Sequence, residues 1–487
     1  MLKGYDFDGF PGKYAEQKTS ELGEELARLQ RKLIDAGIPV MVIIEGWEGA
    51  GHEYIINDLI RELNPRNYHV KEYDYSSRFA TDKPFMWEYW QLLPKKGDMS
   101  ILDRSYYFNL LSDLKLDKKD LKKSKGLIKV FEKQLTDDNM LILKFFLHIK
   151  KKTLQERIAE LKGDRNRAFF VTEIDEKQCK DYKEYRENFE NILKKTDFGF
   201  ARWNVISSQD LKDAAKEVIG KTIEEINKKL KFVEKQKAEV FERKPYDGPK
   251  PLDDVDLTLS VDDAVYDNEI DKLQERAQEL TYALYNKKIP TILVFEGMDA
   301  AGKGGAIERL TRIMDARFYD VVPIAAPREP ERSYHYLWRF YREFPSGGKM
   351  AVFDRSWYGR VMVERIEGFV SEREWSRAYD EINEMEEQLC GGGALVVKFF
   401  LAIDKDEQLK RFKDRESDLD KVYKITDEDW RNRSKWDLYI EAMNEMLVKT
   451  NTKCAPWVIV EGNDKKFARL KVLREFILRA EEVIKAN

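Results

Sequence analysis

The chain repeats itself, and that repeat limits its folds more than any other feature. Laid on the C-terminal half at an offset of 251 residues, Gly37-Ile38-Pro39 and the apolar run ending in Glu45-Gly46 fall on Lys288-Ile289-Pro290 and the run ending in Glu296-Gly297. Ala50-Gly51 falls on Ala301-Gly302, Trp87 on Trp338, and Leu102-Asp103-Arg104-Ser105 on Phe353-Asp354-Arg355-Ser356. After a three-residue slip, Lys144-Phe145-Phe146-Leu147 falls on Lys398-Phe399-Phe400-Leu401 and Trp203 on Trp457. The reading is a tandem duplication of one domain: a first copy in 1–230, an exposed linker over 231–265 rich in Pro and acidic residues, and a second copy in 266–487.

Each copy alternates apolar strand candidates with longer helical patterns. In the second copy the strands are expected near 289–296, 319–325, 350–354, 395–403 and 457–461, and a charged helix near 372–389. Amphipathic helices precede the copies near 18–36 and 267–287. Such alternation predicts an α/β fold, two tandem domains that are each a doubly wound parallel sheet. An apolar fraction of 42% suffices for two packed cores. A net charge of −4 argues against a nucleic-acid coat protein. Three scattered cysteines form neither a disulfide framework nor a zinc pattern. With no signal peptide and no membrane-length apolar run, a cytoplasmic protein that binds neither membrane nor nucleic acid is expected.

The strongest local motif is Gly297-Met298-Asp299-Ala300-Ala301-Gly302-Lys303-Gly304-Gly305, lying between a strand candidate and a helical pattern. That context makes a phosphate-binding loop: backbone N–H groups face the anion and Lys303 adds a point charge. Gly304 stands where a hydroxyl residue normally touches Mg²⁺, and Asp299 lies within the loop, so a metal here needs a carboxylate. A second acid, Asp354, closes the strand candidate 350–354, the usual place for a Mg²⁺ carboxylate beside such a loop. Arg355 and Arg360 follow it and suit bidentate phosphate contacts. Arg328 and Arg339 extend the basic character, and Trp338, Phe340 and Tyr341 either line a groove or belong to the core. After the fourth strand, Arg411, Arg415 and Lys424 stand where a nucleotide kinase carries a lid over the transferred phosphoryl group.

The first copy lacks most of this. Its loop reads Gly46-Trp47-Glu48-Gly49-Ala50-Gly51-His52-Glu53, with His52 for the lysine and an added acid. Glu88, Asn109 and Leu211 face Arg339, Arg360 and Lys465. This copy is expected to be structural.

The loop with its internal Asp and Gly-Gly after the lysine, Leu337-Trp338-Arg339-Phe340, Phe353-Asp354-Arg355-Ser356-Trp357-Tyr358, Lys398-Phe399-Phe400-Leu401 and Ala455-Pro456-Trp457 together resemble the polyphosphate kinase 2 family. The resemblance implies a P-loop kinase fold with a helical lid. It also implies direct, Mg²⁺-dependent phosphoryl transfer (Mn²⁺ as substitute) from polyphosphate to a nucleoside monophosphate, AMP foremost. In that scheme Asp299, Lys303, Asp354 and Arg355 are catalytic, Asp299 and Asp354 hold the metal, and the other loop residues and arginines bind phosphate. The chain acts as a pseudo-dimer or as a homo-oligomer. The rival readings are an ATP-dependent kinase on the same fold and a polyphosphate sensor without catalysis.

Overall fold

The computed structural model describes residues 1–7, 12–72, 83–84, 86–237, 245–418 and 425–486. They form two compact units, the first drawn mainly from residues 1–240 and the second from 241–487. Each unit holds a five-stranded sheet. The first contains β1 (Val40–Gly46), β2 (Tyr68–Glu72), β3 (Met99–Asp103), β4 (Leu141–His148) and β5 (Trp203–Ser207), in the order β2-β3-β1-β4-β5. The second contains β6 (Thr291–Gly297), β7 (Tyr319–Pro323), β8 (Met350–Asp354), β9 (Leu395–Ala402) and β10 (Trp457–Glu461), in the order β10-β9-β6-β8-β7. All pairings are parallel, as the strand–helix alternation requires.

The central strands are continuous apolar runs because helices cover both faces. Every residue of β9 is buried, and all of β6 except its terminal Gly297. The helices Asp263–Asn286 and Lys465–Ala486 pack against each other in the second unit, as Thr19–Ala36 and Leu211–Lys237 do in the first. Residues 245–262, part of the expected linker, are tied to the second unit. Tyr246 donates its N–H to Glu441 (3.0 Å) and Leu252 its N–H to Asn444 (3.0 Å).

A lysine lies in the middle of each β-sheet core. Lys398 on β9 is fully buried and donates to Glu386 Oε2 (2.7 Å), the Tyr358 hydroxyl (2.9 Å) and the Thr450 carbonyl (2.7 Å). Glu386 also accepts from Trp357 Nε1 and Tyr358, so both charges are saturated. Lys144 repeats this with Glu132 (2.9 Å), Tyr107 (3.0 Å) and Thr196 (2.9 Å). The arrangement clamps the segment after each strand acid onto the sheet. It explains why Lys144 and Lys398 match in the repeat.

The ends of β6 and β8 place the chemistry. Phe295 lies opposite Asp354, so the strand acid stands beside the turn that starts at Gly297. Gly297 has φ +140°, and a Cβ there would meet the Leu401 carbonyl oxygen at 2.3 Å, so only glycine fits.

Candidate active site

The loop between β6 and the helix Lys303–Thr311 has the strand–turn–helix geometry of an anion cradle. Gly302 takes φ +107° at the helix start, and Ala300 is left-handed at φ 61°. Arg355 is also left-handed, at φ 63°, in the residue after Asp354. Non-glycine residues rarely hold that conformation, and they concentrate where function sets the backbone.

Lys303 is buried and donates to the carbonyls of Gly297 (2.8 Å) and Met298 (3.1 Å). Burial lowers its pKa first and Arg355 adds to this, while Asp299, Asp354 and Glu296 oppose both. Asp299 accepts from Arg355 Nη2 on Oδ1 (3.1 Å) and from Asn432 Nδ2 on Oδ2 (2.9 Å). Glu296 is buried behind the loop, where it accepts from the Ser356 hydroxyl (2.8 Å), and burial pushes its pKa up to about 7.

The raised pKa has a sign. The folded unit holds the Glu296 proton up to about pH 7, whereas an unfolded carboxyl releases it near 4.5. Stability from this group is full below pH 4.5 and is lost as pH rises to about 7, a span worth about 3 kcal/mol. Glu296→Gln keeps an acceptor for Ser356 and removes that slope. Melting of the variant between pH 5 and 8 should be flatter than that of the parent chain; parallel curves would rule the effect out.

A narrow cleft with an enclosed volume of about 90 Å³ opens beside the loop. Met298, Asp299 and Arg355 line one wall, and Asn432, Trp436 and Tyr439 line the other. Asp299 and Asp354 offer hard oxygen ligands, and among the described residues no three acidic, His or Cys side chains converge. A divalent ion held here takes few ligands from protein and the rest from phosphate or water, which suits Mg²⁺.

The remaining expected residues divide. Gly304 faces open space, and Arg469 Nη2 would lie 3.6 Å from a Cβ on Gly305. Arg339 donates to the Ala325 carbonyl (2.9 Å) and lies over the Phe340 ring. Arg360 pairs with Glu364 (3.1 Å) and covers the Tyr336 ring. Arg328 is exposed, Arg415 is half-buried on the helix Lys405–Ser417, and Lys424 lies outside the described residues. Trp338, Phe340 and Tyr341 are core.

Arg411 requires a correction. It is not poised over a substrate: it is buried and gives its N–H groups to Glu407 and to the carbonyls of Ala300, Ala301, Gly462 and Asn463. It holds the loop from behind. Arg157, its partner in the repeat, does the same with the carbonyls of Gly49, Ser208 and Gln209. A residue kept in the copy without the loop lysine serves the scaffold.

The first unit's loop is closed by its own side chains. Trp47 is fully buried, stacks on Tyr182 with centroids 4.1 Å apart, meets Phe189 edge-on and donates to His148 Nδ1 (2.9 Å). Their counterparts Met298, Trp436 and Met443 line the open cleft of the second unit. His52 pairs with Asp103 (2.8 Å), and Arg104 is held between Glu48 and Glu72. Burial would raise the Asp103 carboxyl, but His52 and Arg104 bring it below its ordinary value. The Leu211 side chain presses on Gly51, where the second unit carries Lys465.

Sequence reasoning did not single out Glu296, Asn432, Trp436 or Tyr439. The only signal available was register: Gln178, Tyr182 and Tyr185 stand at the positions of the last three, one copy earlier.

The family model described as Polyphosphate kinase 2 matches residues 12–236 and again 260–486. A protein of Pseudomonas aeruginosa named polyphosphate:AMP phosphotransferase is 40% identical over 476 residues, 94% of each chain. One of the same name from Acinetobacter johnsonii is 35% identical over 444 residues, 90% of each. A crystal structure from Pseudomonas aeruginosa PA01, described as a polyphosphate kinase 2, superposes with a TM-score of 0.83 at 38% identity. It covers 96% of this chain and 95% of that one.

Proposed function

Because the chain belongs to the polyphosphate kinase 2 family, whose pattern it carries twice, we propose that it transfers the terminal phosphoryl group of polyphosphate to a nucleoside monophosphate, AMP foremost. The observation that carries this reading is the end-to-end likeness, tandem form included, to proteins named polyphosphate:AMP phosphotransferase. The geometry supports it in the second copy, where the loop keeps its lysine and an open cleft borders Met298 and Asp299.

The chemistry is an in-line displacement. An oxygen of the acceptor phosphate attacks the terminal phosphorus, the P–O bond to the rest of the chain breaks, and the shortened polyphosphate keeps the electron pair. Lys303 and the loop amides hold phosphate oxygens and take up part of the charge that builds on them. Arg355 crosses to Asp299 and presents its remaining N–H groups to the cleft. Trp436 and Tyr439 offer aromatic faces to a nucleoside and exclude water. Asp299 and Asp354 would hold Mg²⁺, which when bound neutralises charge and orients the phosphate oxygens. Positioning and electrostatics supply the rate, with no covalent intermediate. Arg328, exposed, and Arg415, half-buried, are the basic side chains offered to the polyphosphate chain. The reaction takes place in the cytoplasm.

The test is ADP formation from AMP, Mg²⁺ and long-chain polyphosphate with no ATP present. Steady ADP production is expected. Turnover only when ATP is supplied would replace the donor, and silence with either donor would overturn the reading.

A further inference from the structure

We infer that Asn432 is a positioning residue for the loop carboxylate, held in its working orientation by Tyr439. The inference rests on the assignment of Asp299 as a metal-binding carboxylate and names a residue that the loop motif does not contain.

Each carboxylate oxygen of Asp299 has a protein partner among the described residues. Arg355 Nη2 reaches Oδ1 at 3.1 Å and Asn432 Nδ2 reaches Oδ2 at 2.9 Å. An amide can face a carboxylate by its NH₂ or by its oxygen, and only the first attracts. Tyr439 decides between them. Its buried hydroxyl lies 3.1 Å from Asn432 Oδ1 and 3.5 Å from Glu367 Oε1, and its single proton goes to the nearer oxygen, that of Asn432. Burial, followed by the charges of Glu367 and Asp299, keeps this phenol protonated and therefore a donor. With the carbonyl oxygen so engaged, the NH₂ of Asn432 is turned onto Asp299.

The elements that carry these residues are braced. Glu367 accepts from Lys435 Nζ at 2.9 Å and 3.0 Å, and Arg431 Nε lies 3.3 Å from it. This fixes the junction of the helices Asp427–Ser434 and Trp436–Lys449. A capping box at Thr426 and Asp429 starts the first of them. The chain Tyr439–Asn432–Asp299 thus links the cleft wall to a metal-binding group of the loop. Groups behind a metal ligand typically set metal affinity or activity by about 10- to 100-fold.

The first unit lacks the link. Gln178 stands in the register of Asn432, but its amide oxygen accepts from the Glu48 backbone N–H (3.0 Å), and the Glu48 carboxylate goes to Arg104. The amide-to-carboxylate contact accompanies the loop that keeps its lysine.

The experiment pairs a binding readout with a kinetic one on the full-length chain. Mn²⁺ binding is followed by electron paramagnetic resonance in the presence of polyphosphate, and ADP formation is measured on the same samples. Asn432→Ala should weaken Mn²⁺ binding about 10- to 100-fold and lower kcat over the same range, with KM for AMP changed less than about twofold. Tyr439→Phe should give a smaller loss in the same direction, because the amide is then free to turn. Mn²⁺ affinity unchanged in Asn432→Ala would overturn the inference, whatever its melting temperature or activity. If the parent chain makes no ADP from polyphosphate but Asn432→Ala still loses Mn²⁺ affinity, the positioning role stands and the proposed donor falls.

Discussion

Lys303→Ala should lower ADP formation by about 10²- to 10³-fold, the loss typical of removing one preorganised group that meets developing charge. It should leave the fold intact. Lys303 is desolvated, and its charge is disfavoured by burial and by Arg355, so the folded unit does not depend on it as on a solvated ion pair. Its neighbours Asp299 and Asp354 would lose one of the cations that balance them, and phosphate its loop lysine, so the variant should also bind polyphosphate more weakly. The measurement is turnover beside a melting curve: a large drop in rate with a midpoint within a few degrees of the parent. The matched variant in the other copy is His52→Ala. It removes a contact to Asp103 next to a loop already filled by Trp47, and turnover should not change. Near-full activity in Lys303→Ala, or a comparable loss in His52→Ala, would reassign the reacting copy.

Lys398→Met should destabilise the second unit by about 3–5 kcal/mol. Removing one partner of a buried, hydrogen-bonded pair strands the other, and Glu386 would be left charged or forced to take up a proton in the core. Burial already holds the Glu386 carboxyl above its ordinary range, with Lys398 as the main opposing influence. At about 2–4 °C per kcal/mol for a unit of this size, the melting transition should fall by roughly 10 °C. Lys144→Met should do the same to the first unit, through Glu132. The double variant Lys398→Met, Glu386→Leu should recover much of the loss, since a well-packed apolar pair often replaces a buried ion pair without penalty. A loss of only a few tenths of a kcal/mol in the single variants would mean that the pair is not saturated as described.

The fold was largely legible in the chain, for a physical reason. Parallel strands covered on both faces are uninterrupted apolar runs, so β6, β8 and β9 stand out between longer helical patterns, and Gly297 and Gly302 punctuate the loop. The strand–loop–helix that carries Asp299 and Lys303 was legible as well, because it is local in sequence. Residues whose role depends on distant elements were not. Arg411 sits in a basic helical stretch that reads equally as solvated surface, phosphate clamp or scaffold, and only its five carbonyl and carboxylate contacts separate these. Asn432 is a lone amide on a polar helix, and its meaning appears when Tyr439 and Asp299 are brought to either side of it. Lys398 showed up as a match between copies, but its partners Glu386, Tyr358 and Thr450 come from three other segments. Trp47 and Met298 look alike as apolar loop residues, yet one fills a cleft and the other borders it.

That last pair bears on how such a chain could be redesigned. The first unit retains its sheet, its buried lysine, its loop-bracing Arg157 and its left-handed Arg104. What sets its loop apart is a handful of side chains in and around it, chiefly Trp47, Tyr182, His52, Glu53 and Leu211. Their counterparts are known residue by residue: Met298, Trp436, Lys303, Gly304 and Lys465. The chain therefore carries its own blueprint for a second reaction centre, but Gly49 holds φ −81° where its counterpart Ala300 is left-handed at 61°, so a graft of those side chains must also reset the turn of the loop.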